Sequence, residues 1–329
     1  MADRSRILVL SLGGTITMTP GAGPGLTPSL GAAELVAAVP GLAAVAEIVA
    51  ESPARVASPS LPPALLVEAA RRIAGFDGDG AVVVQGTDTI EESAFLLDLL
   101  HADDRPVVVT GAMRGAAAAG ADGPANLLAA VMVAASPVAR GLGALVVMND
   151  ELHAARFVRK GHTALPSAFV SPLCGPLGIV AEGRPRVHVA PSRLPVLPPP
   201  GGELPPVVML GWGMGEDGRM LPGLPALGYR GAVIEGMGAG HLPAMAVEAA
   251  AALAGQMPVV LASRCWTGPV FTQTYGYPGA ELDLLPRGLA PAGILPANKA
   301  RLLLTLALAA GEDPEAAFRP YQSLSRAAR

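Results

Sequence analysis

The chain has 329 residues, enough for two domains that each bury a core. Its formal net charge of −4 and pI near 5.8 give no basic footprint, which argues against nucleic acid as a partner and leaves a small molecule as the expected ligand. It is 51% hydrophobic yet only 4% aromatic, so Ala, Val and Leu must fill the interior, and its two cysteines, Cys174 and Cys265, lack metal or redox spacing and read as reduced thiols.

The amino terminus carries basic residues and then a short apolar run that ends in glycines, with no small-residue cleavage site, so it reads as a first strand, Ile7 to Ser11, and not as a signal peptide. No run approaches the roughly 18 apolar residues needed to cross a membrane. A soluble, cytoplasmic protein with no membrane partner is the expectation. The strand closes in Leu12-Gly13-Gly14-Thr15-Ile16, where two glycines let the backbone turn tightly and leave Thr15 exposed at the strand end. A phosphate cradle is disfavoured, because the turn has neither the lysine of a P-loop nor a third glycine at dinucleotide spacing. Thr17 to Ser29 is dense in Gly and Pro, and reads as a mobile loop over the site and a candidate lid.

Short helices are expected over Glu34 to Leu42 and Leu65 to Ile73, the second after a turn at Ser58 to Pro63. After Ala81, three valines favour a buried strand, and Gln85-Gly86-Thr87-Asp88-Thr89 breaks it. From Ile90 the apolar spacing becomes helical, with Glu91 and Glu92 in the first turn where they suit the helix dipole. Thr87 and Asp88 therefore sit between a strand's carboxyl end and a helix start, which is where open α/β sheets bind ligands. Pro106 to Thr110 (strand), Asn126 to Ala135 (helix) and Gly143 to Asn149 (strand) continue an alternation that indicates a mainly parallel sheet.

Prolines crowd the stretch 191–206, which reads as a semi-rigid linker between an N-terminal catalytic α/β domain, 1–190, and a smaller C-terminal α/β domain, 207–329. In the latter, strands are expected at Val207 to Leu210, Gly231 to Glu235 and Pro258 to Ala262, and a helix at Ala244 to Ala254. Gly236 to Gly240 misses dinucleotide spacing by one position and reads as a structural turn. The five histidines show no metal-ligand spacing, so surface or satisfied polar roles are expected.

Taken singly, Thr15, Thr87, Asp88 and Lys160 read as caps, turn residues or a solvated face. Their combination with the two glycine turns resembles the bacterial-type L-asparaginases over nearly the whole chain. Leu12-Gly13-Gly14-Thr15-Ile16 is similar to that family's first threonine motif and Gln85-Gly86-Thr87-Asp88-Thr89-Ile90-Glu91-Glu92 to its second. Pro106 to Arg114, Asp122 to Leu127 and Lys299 to Arg301 resemble further shared stretches. The resemblance implies hydrolysis of L-asparagine to L-aspartate and ammonia, with Thr15 as the nucleophile of an acyl-enzyme and Thr87, Asp88 and Lys160 as a second triad. Burial would push Lys160 toward its neutral form, and Asp88 alongside would oppose that shift. Gly86 and Thr87 offer backbone donors for an oxyanion, Asp88 would hold the substrate's ammonium, and Ser58, with Ser60 as fallback, would lie near its carboxylate. Glu281 aligns with an acidic residue that reaches a neighbouring subunit's site, which implies a homodimer or homotetramer with shared sites. No metal or organic cofactor is implied.

The sequence also departs from the family pattern. The loop tyrosine common in the family is absent near Gly25 and Leu26, and the only tyrosines are Tyr229, Tyr275, Tyr277 and Tyr321. Tyr275 or Tyr277 of a partner chain is one source of the missing hydroxyl, and simple packing of both at a subunit contact is the other reading. Gln85 and Ser93 stand where many relatives have histidine and threonine, His241 lies near a place where some relatives have a substrate-contacting asparagine, and such changes bear on the choice between asparagine and glutamine. Dual asparaginase/glutaminase activity is the near alternative. An ammonia-supplying subunit is disfavoured because no docking domain precedes the first strand, and a non-catalytic amino-acid-binding protein because a binder has no need of two hydroxyls and a lysine.

Overall fold

The computed structural model describes residues 4–20, 26–28 and 31–322, which form two compact units, Met1–Val196 and Leu197–Arg329. The division falls within 191–206, a stretch without helix or strand.

The first unit opens with β1 (Arg6–Ser11), followed by a short antiparallel ribbon of β2 (Met18–Pro20) and β3 (Leu26–Pro28). That ribbon stands where a loop was expected over 17–29: Pro20 and Pro28 lie at the ends of the paired segments, and the central pair, Thr19 with Thr27, is free of proline. Residues 21–25, and with them the Gly25 position, lie outside the described residues. Next come α1 (Ala32–Ala37), α2 (Leu42–Val45), β4 (Glu47–Glu51) and α3 (Pro63–Gly75). The single helix expected over Glu34 to Leu42 is thus two. Pro40 lacks an amide donor and disfavours helical geometry at Val39, and Gly41 takes a left-handed φ of 91° between the pieces.

The strand–turn–helix unit follows as β5 (Gly80–Val84), a 3-10 turn (Thr87–Thr89) and α4 (Ile90–Leu100). β6 (Val107–Thr110), α5 (Gly123–Ala134) and β7 (Ala144–Met148) complete the parallel part of the sheet. Four further pieces follow: β8 (Glu151–Ala154), the two-residue strands β9 (Arg159–Lys160) and β10 (Phe169–Val170), and the hairpin β11 (Gly178–Ala181) and β12 (Arg184–Val187). The eight-stranded order is β12-β11-β8-β7-β6-β5-β1-β4, with β4, β1, β5, β6 and β7 parallel and β8, β11 and β12 added antiparallel at one edge. Val82, Val83 and Val84 are fully buried, as a central strand covered on both faces requires.

The second unit has a four-stranded, wholly parallel sheet in the order β13 (Val207–Gly211), β14 (Gly231–Gly236), β15 (Val259–Ser263) and β16 (Leu289–Pro291). Its helices are α6 (Val247–Ala254), α7 (Glu281–Leu284), α8 (Ala297–Ala310) and α9 (Pro314–Phe318). Each unit has its own core, built mostly from Val, Leu, Ile and Ala, which follows from a composition poor in rings. Among the described residues no helix is long and apolar enough to cross a membrane, and both cysteines are free thiols.

His153 on β8 is 1% exposed and shares a 3.0 Å hydrogen bond with Ser171 Oγ, just past β10. Glu151 Oε2 lies 3.4 Å from its other nitrogen but out of line for a hydrogen bond. Burial lowers its pKa from 6.5 to about 4, so the fold holds the neutral ring. The unfolded chain therefore binds the extra proton between those values, and stability is lost as pH falls from 6.5 toward 4. The loss at the lower limit should be about 3 kcal/mol, at about 1.4 kcal/mol per pH unit. Urea unfolding followed by circular dichroism should show this fall in wild-type protein and a shallower one in His153→Gln.

Candidate active site

β1 and β5 are parallel neighbours with Ser11 in register with Val84, so their carboxyl ends emerge side by side. Leu12 carries the pairing one step further, its amide donating to Val84 O (2.8 Å) while its carbonyl accepts from Val56 N (3.0 Å). Gly13 and Gly14 then turn the chain with φ of 113° and 90°, values that L side chains rarely adopt. Thr15 follows, half-buried at the start of a 3-10 turn that is closed by the Thr17 amide and hydroxyl on Gly14 O, at 2.9 and 2.7 Å.

Gly14 packs directly on the second turn. A Cβ there would sit 2.0 Å from Gly86 N and 2.3 Å from Gly86 Cα, so the backbones of the two threonine turns are in contact. Neither atom can move aside without displacing β5. Gly14→Ala is expected to destabilise the protein by about 3 kcal/mol, the upper range for single substitutions, and to reduce the urea midpoint accordingly.

Gly86 is pinned in turn by Ser58, whose Oγ would stand 2.7 Å from an added Cβ. That Oγ accepts from the Asp88 amide at 3.2 Å, and Thr89 Oγ1 donates to Ser58 O at 3.2 Å. Gln85, fully buried beneath the turn, donates from Nε2 to Thr89 Oγ1 (3.2 Å) and Gly86 O (3.3 Å). Among the described residues, its Oε1 and the buried Ser93 Oγ have no hydrogen-bond partner. Gln85 thus stands behind the turn and supports it.

Lys160 arrives from far along the chain on β9, where it pairs with Phe169 of β10. Its Nζ donates to Thr87 Oγ1 at 2.9 Å and to Asp88 Oδ1 at 2.7 Å. Thr87 is buried, Lys160 is 15% exposed by its side chain, and Asp88 is 60% exposed. The result is a hydroxyl, an ammonium and a carboxylate in one chain of hydrogen bonds, with the carboxylate at the open end. Asp88, Glu91, Lys160, Gly161, His162 and Thr163 line an open cleft. The first unit therefore brings together Thr15, Ser58, Gly86, Thr87, Asp88 and Lys160. Ser60 is exposed at the end of the Ser58–Ser60 turn and holds the turn by its amide, bonded to Ala57 O at 2.9 Å.

Glu281 belongs to the second unit, at the first position of α7, and its side chain is 1% exposed. Its Oε1 accepts from the amides of Thr274 and Tyr275, both at 2.7 Å, and its Oε2 pairs with His241 Nε2 at 3.1 Å. Burial alone would raise its pKa. The amides of Tyr275, Glu281 itself and Thr274, together with His241, outweigh that and hold the carboxyl below its ordinary value. His241 is thus a satisfied polar residue with specific partners, Glu281 and Tyr277, and the sequence marked it only by resemblance, near an asparagine of some relatives.

Residues 6–193 match the family model described as Asparaginase, N-terminal, and residues 207–319 match that described as Glutaminase/Asparaginase C-terminal domain. The chain belongs to the asparaginase family. A protein of Deinococcus radiodurans named probable L-asparaginase is 37% identical over 328 residues, covering 95% of this chain and 96% of that one. A glutaminase-asparaginase of Pseudomonas fluorescens biotype A is 41% identical over 191 residues, 55% of this chain and 52% of its own. The structure of a probable cytoplasmic L-asparaginase from Campylobacter jejuni matches with a TM-score of 0.83 at 31% identity, covering 96% of this chain and 99% of that one. The chain is an enzyme of the asparaginase family with that family's mixed α/β architecture.

Proposed function

We propose that this asparaginase-family enzyme hydrolyses the side-chain amide of L-asparagine to L-aspartate and ammonia through an acyl intermediate on Thr15. The observation that carries the reading is Lys160 Nζ bridging Thr87 Oγ1 and Asp88 Oδ1, beside a Thr15 turn in backbone contact with Gly86. Thr15 attacks the amide carbon, and the Gly86 and Thr87 amides receive the developing oxyanion. Ammonia leaves, and water, activated through Thr87 and Lys160, cleaves the ester. Asp88 holds the substrate's ammonium, and Ser58 sets the turn that faces its carboxylate. No metal or organic cofactor takes part in this scheme.

A second reading, dual action on L-asparagine and L-glutamine, is supported by the 41% identity to a glutaminase-asparaginase over the first part of the chain. The proposal further includes a cytoplasmic location and a dimer or tetramer in which Glu281 serves a neighbouring subunit's site. Ammonia release by purified protein from each amide tests the whole reading. Release from L-asparagine supports it, comparable release from L-glutamine selects the dual activity, and release from neither by folded protein rejects both in favour of an amino-acid-binding protein.

A further inference from the structure

Lys160 reaches Thr87 and Asp88 from a ribbon that stands outside the main sheet. The chain leaves that sheet after Ala155, whose amide still donates to Ala144 O at 3.1 Å, and rejoins it at Leu177, whose amide donates to Leu152 O at 2.7 Å. Between those points β9 and β10 pair with each other, over two residues each. The ribbon is stiff within itself. Gly161 N donates to Ala168 O at 2.7 Å, and at the tip His162 Nδ1 accepts from the amides of Ala164 and Leu165 at 3.0 and 3.1 Å. A stiff ribbon moves as one piece, so its attachment to the sheet decides where the ammonium of Lys160 falls.

Two kinds of attachment are present. Val158 before β9, and Ala168 and Phe169 on the far arm, are buried apolar anchors, whose hold is strong but without direction. The directed attachment is His153. Its ring is buried on β8, and Nδ1 shares a 3.0 Å hydrogen bond with Oγ of Ser171, itself buried and next in the chain after Val170. Ser171 is fixed in its turn, because its carbonyl accepts from the amides of Cys174 and Gly175 at 3.2 and 2.8 Å where the chain bends back toward the sheet. Register carries the bond toward the site: Phe169 pairs with Lys160 and Val170 with Arg159, which places Ser171 two residues along from the partner of the lysine.

Burying an imidazole costs free energy that one polar partner returns only in part, and among the described residues His153 Nε2 has no hydrogen-bond partner. An apolar residue of similar volume would avoid that cost. What the histidine adds is direction, at a place where packing supplies none. We infer that His153, acting through Ser171, is a positioning residue for Lys160 in the hydrolysis proposed above and sets the reach of Nζ to the Thr87 hydroxyl. This role presupposes that reading of the reaction. A misplacement of about 1 Å can cost about 10² in rate even when its origin lies away from the chemistry. The step affected is cleavage of the Thr15 ester, in which Lys160 and Thr87 activate the water, and not the earlier release of ammonia.

The test uses Ser171→Ala, His153→Leu and His153→Asn, each alone and in a Lys160→Met background, with circular dichroism and urea unfolding to establish that the proteins are folded. Asparagine carries a polar atom as many bonds from Cα as Nδ1, so it can keep the bond to Ser171 without the ring. Ammonia release from L-asparagine is followed at steady state and in the first turnover. For Ser171→Ala and His153→Leu the expected result is a kcat lower by about 10- to 10²-fold, a KM lowered with it, kcat/KM within about threefold of wild type, and a burst of ammonia in the first turnover. His153→Asn should recover most of the loss. In the Lys160→Met background neither Ser171→Ala nor His153→Leu should slow the enzyme by more than about twofold, since the residue they act through is gone.

Wild-type kcat in folded Ser171→Ala and His153→Leu overturns the positioning role, even where both are less stable, because the pair then serves folding alone. Losses that add in full to that of Lys160→Met overturn it as well. With an active wild type these outcomes bear on His153 and Ser171 alone, whereas a folded wild type that releases no ammonia refutes the hydrolase reading and the positioning role with it.

Discussion

Thr15→Ala is expected to lose about 10⁴-fold or more of its ammonia release from L-asparagine while remaining folded. Replacement removes one half-buried hydroxyl and leaves in place the glycine turn and the Thr17 contacts that shape the backbone. What it removes is the oxygen that would form the ester, and a covalent route has no detour around its nucleophile. Stability by urea unfolding should stay within about 0.5 kcal/mol of wild type, the usual range for a substitution that breaks no packing.

Two threonines stand at adjoining strand ends, so the loss of rate does not by itself assign the nucleophile. Thr87 Oγ1 already accepts a hydrogen bond from Lys160 at 2.9 Å, which draws electron density from its oxygen and makes it the poorer nucleophile while Nζ is protonated. Acid quenching during turnover and peptide mapping should therefore find the acyl group on the peptide that contains Thr15. An adduct on the Thr87 peptide would exchange the two roles, and no adduct in an active enzyme would favour direct attack by water.

What could be read from the sequence follows the range of the forces involved. The three valines of β5 and the polar turn after them are local signals, and the structure has strand, turn and helix at those residues. The two-residue strand β9 has no periodicity to detect, so the ribbon that delivers Lys160 across 72 residues to Asp88 was invisible until the fold was known. α8 escaped notice for the opposite reason. It is buried on most of its circumference, and a helix that is apolar nearly all round shows no face. The antiparallel edge of β8, β11 and β12 was missed because its strands are short and partly exposed. Glu281 could be singled out by resemblance, but its enclosure depends on His241, 40 residues away, and on two loop amides, neither of which leaves a pattern in sequence.

Lys160→Met is expected to reduce kcat by about 10²–10⁴-fold and to lower KM with it, because slowed ester cleavage leaves kcat/KM, set by the first attack, nearly unchanged while the ammonium-binding carboxylate of Asp88 is kept. Methionine retains the apolar stem where the lysine side chain is mostly enclosed, so the β9–β10 ribbon should persist. Lys160→Arg separates the two things the ammonium can do. Arginine keeps a positive charge and hydrogen-bond donors toward Thr87 and Asp88, but it does not give up a proton in a protein. If Lys160 serves only to fix Asp88 and stabilise charge, the arginine variant should recover much of the rate. If Lys160 passes a proton to and from the Thr87 hydroxyl, arginine should be nearly as slow as methionine. The second outcome is the expected one: Nζ faces both a hydroxyl that must exchange its proton during ester cleavage and a carboxylate that steadies the lysine in its charged phase. Single-turnover measurement sharpens the distinction further. A lysine that acts in ester cleavage should let the Met and Arg variants accumulate acyl-enzyme on Thr15, with a burst of ammonia followed by a slow steady state, whereas a lysine needed for the first attack should abolish the burst.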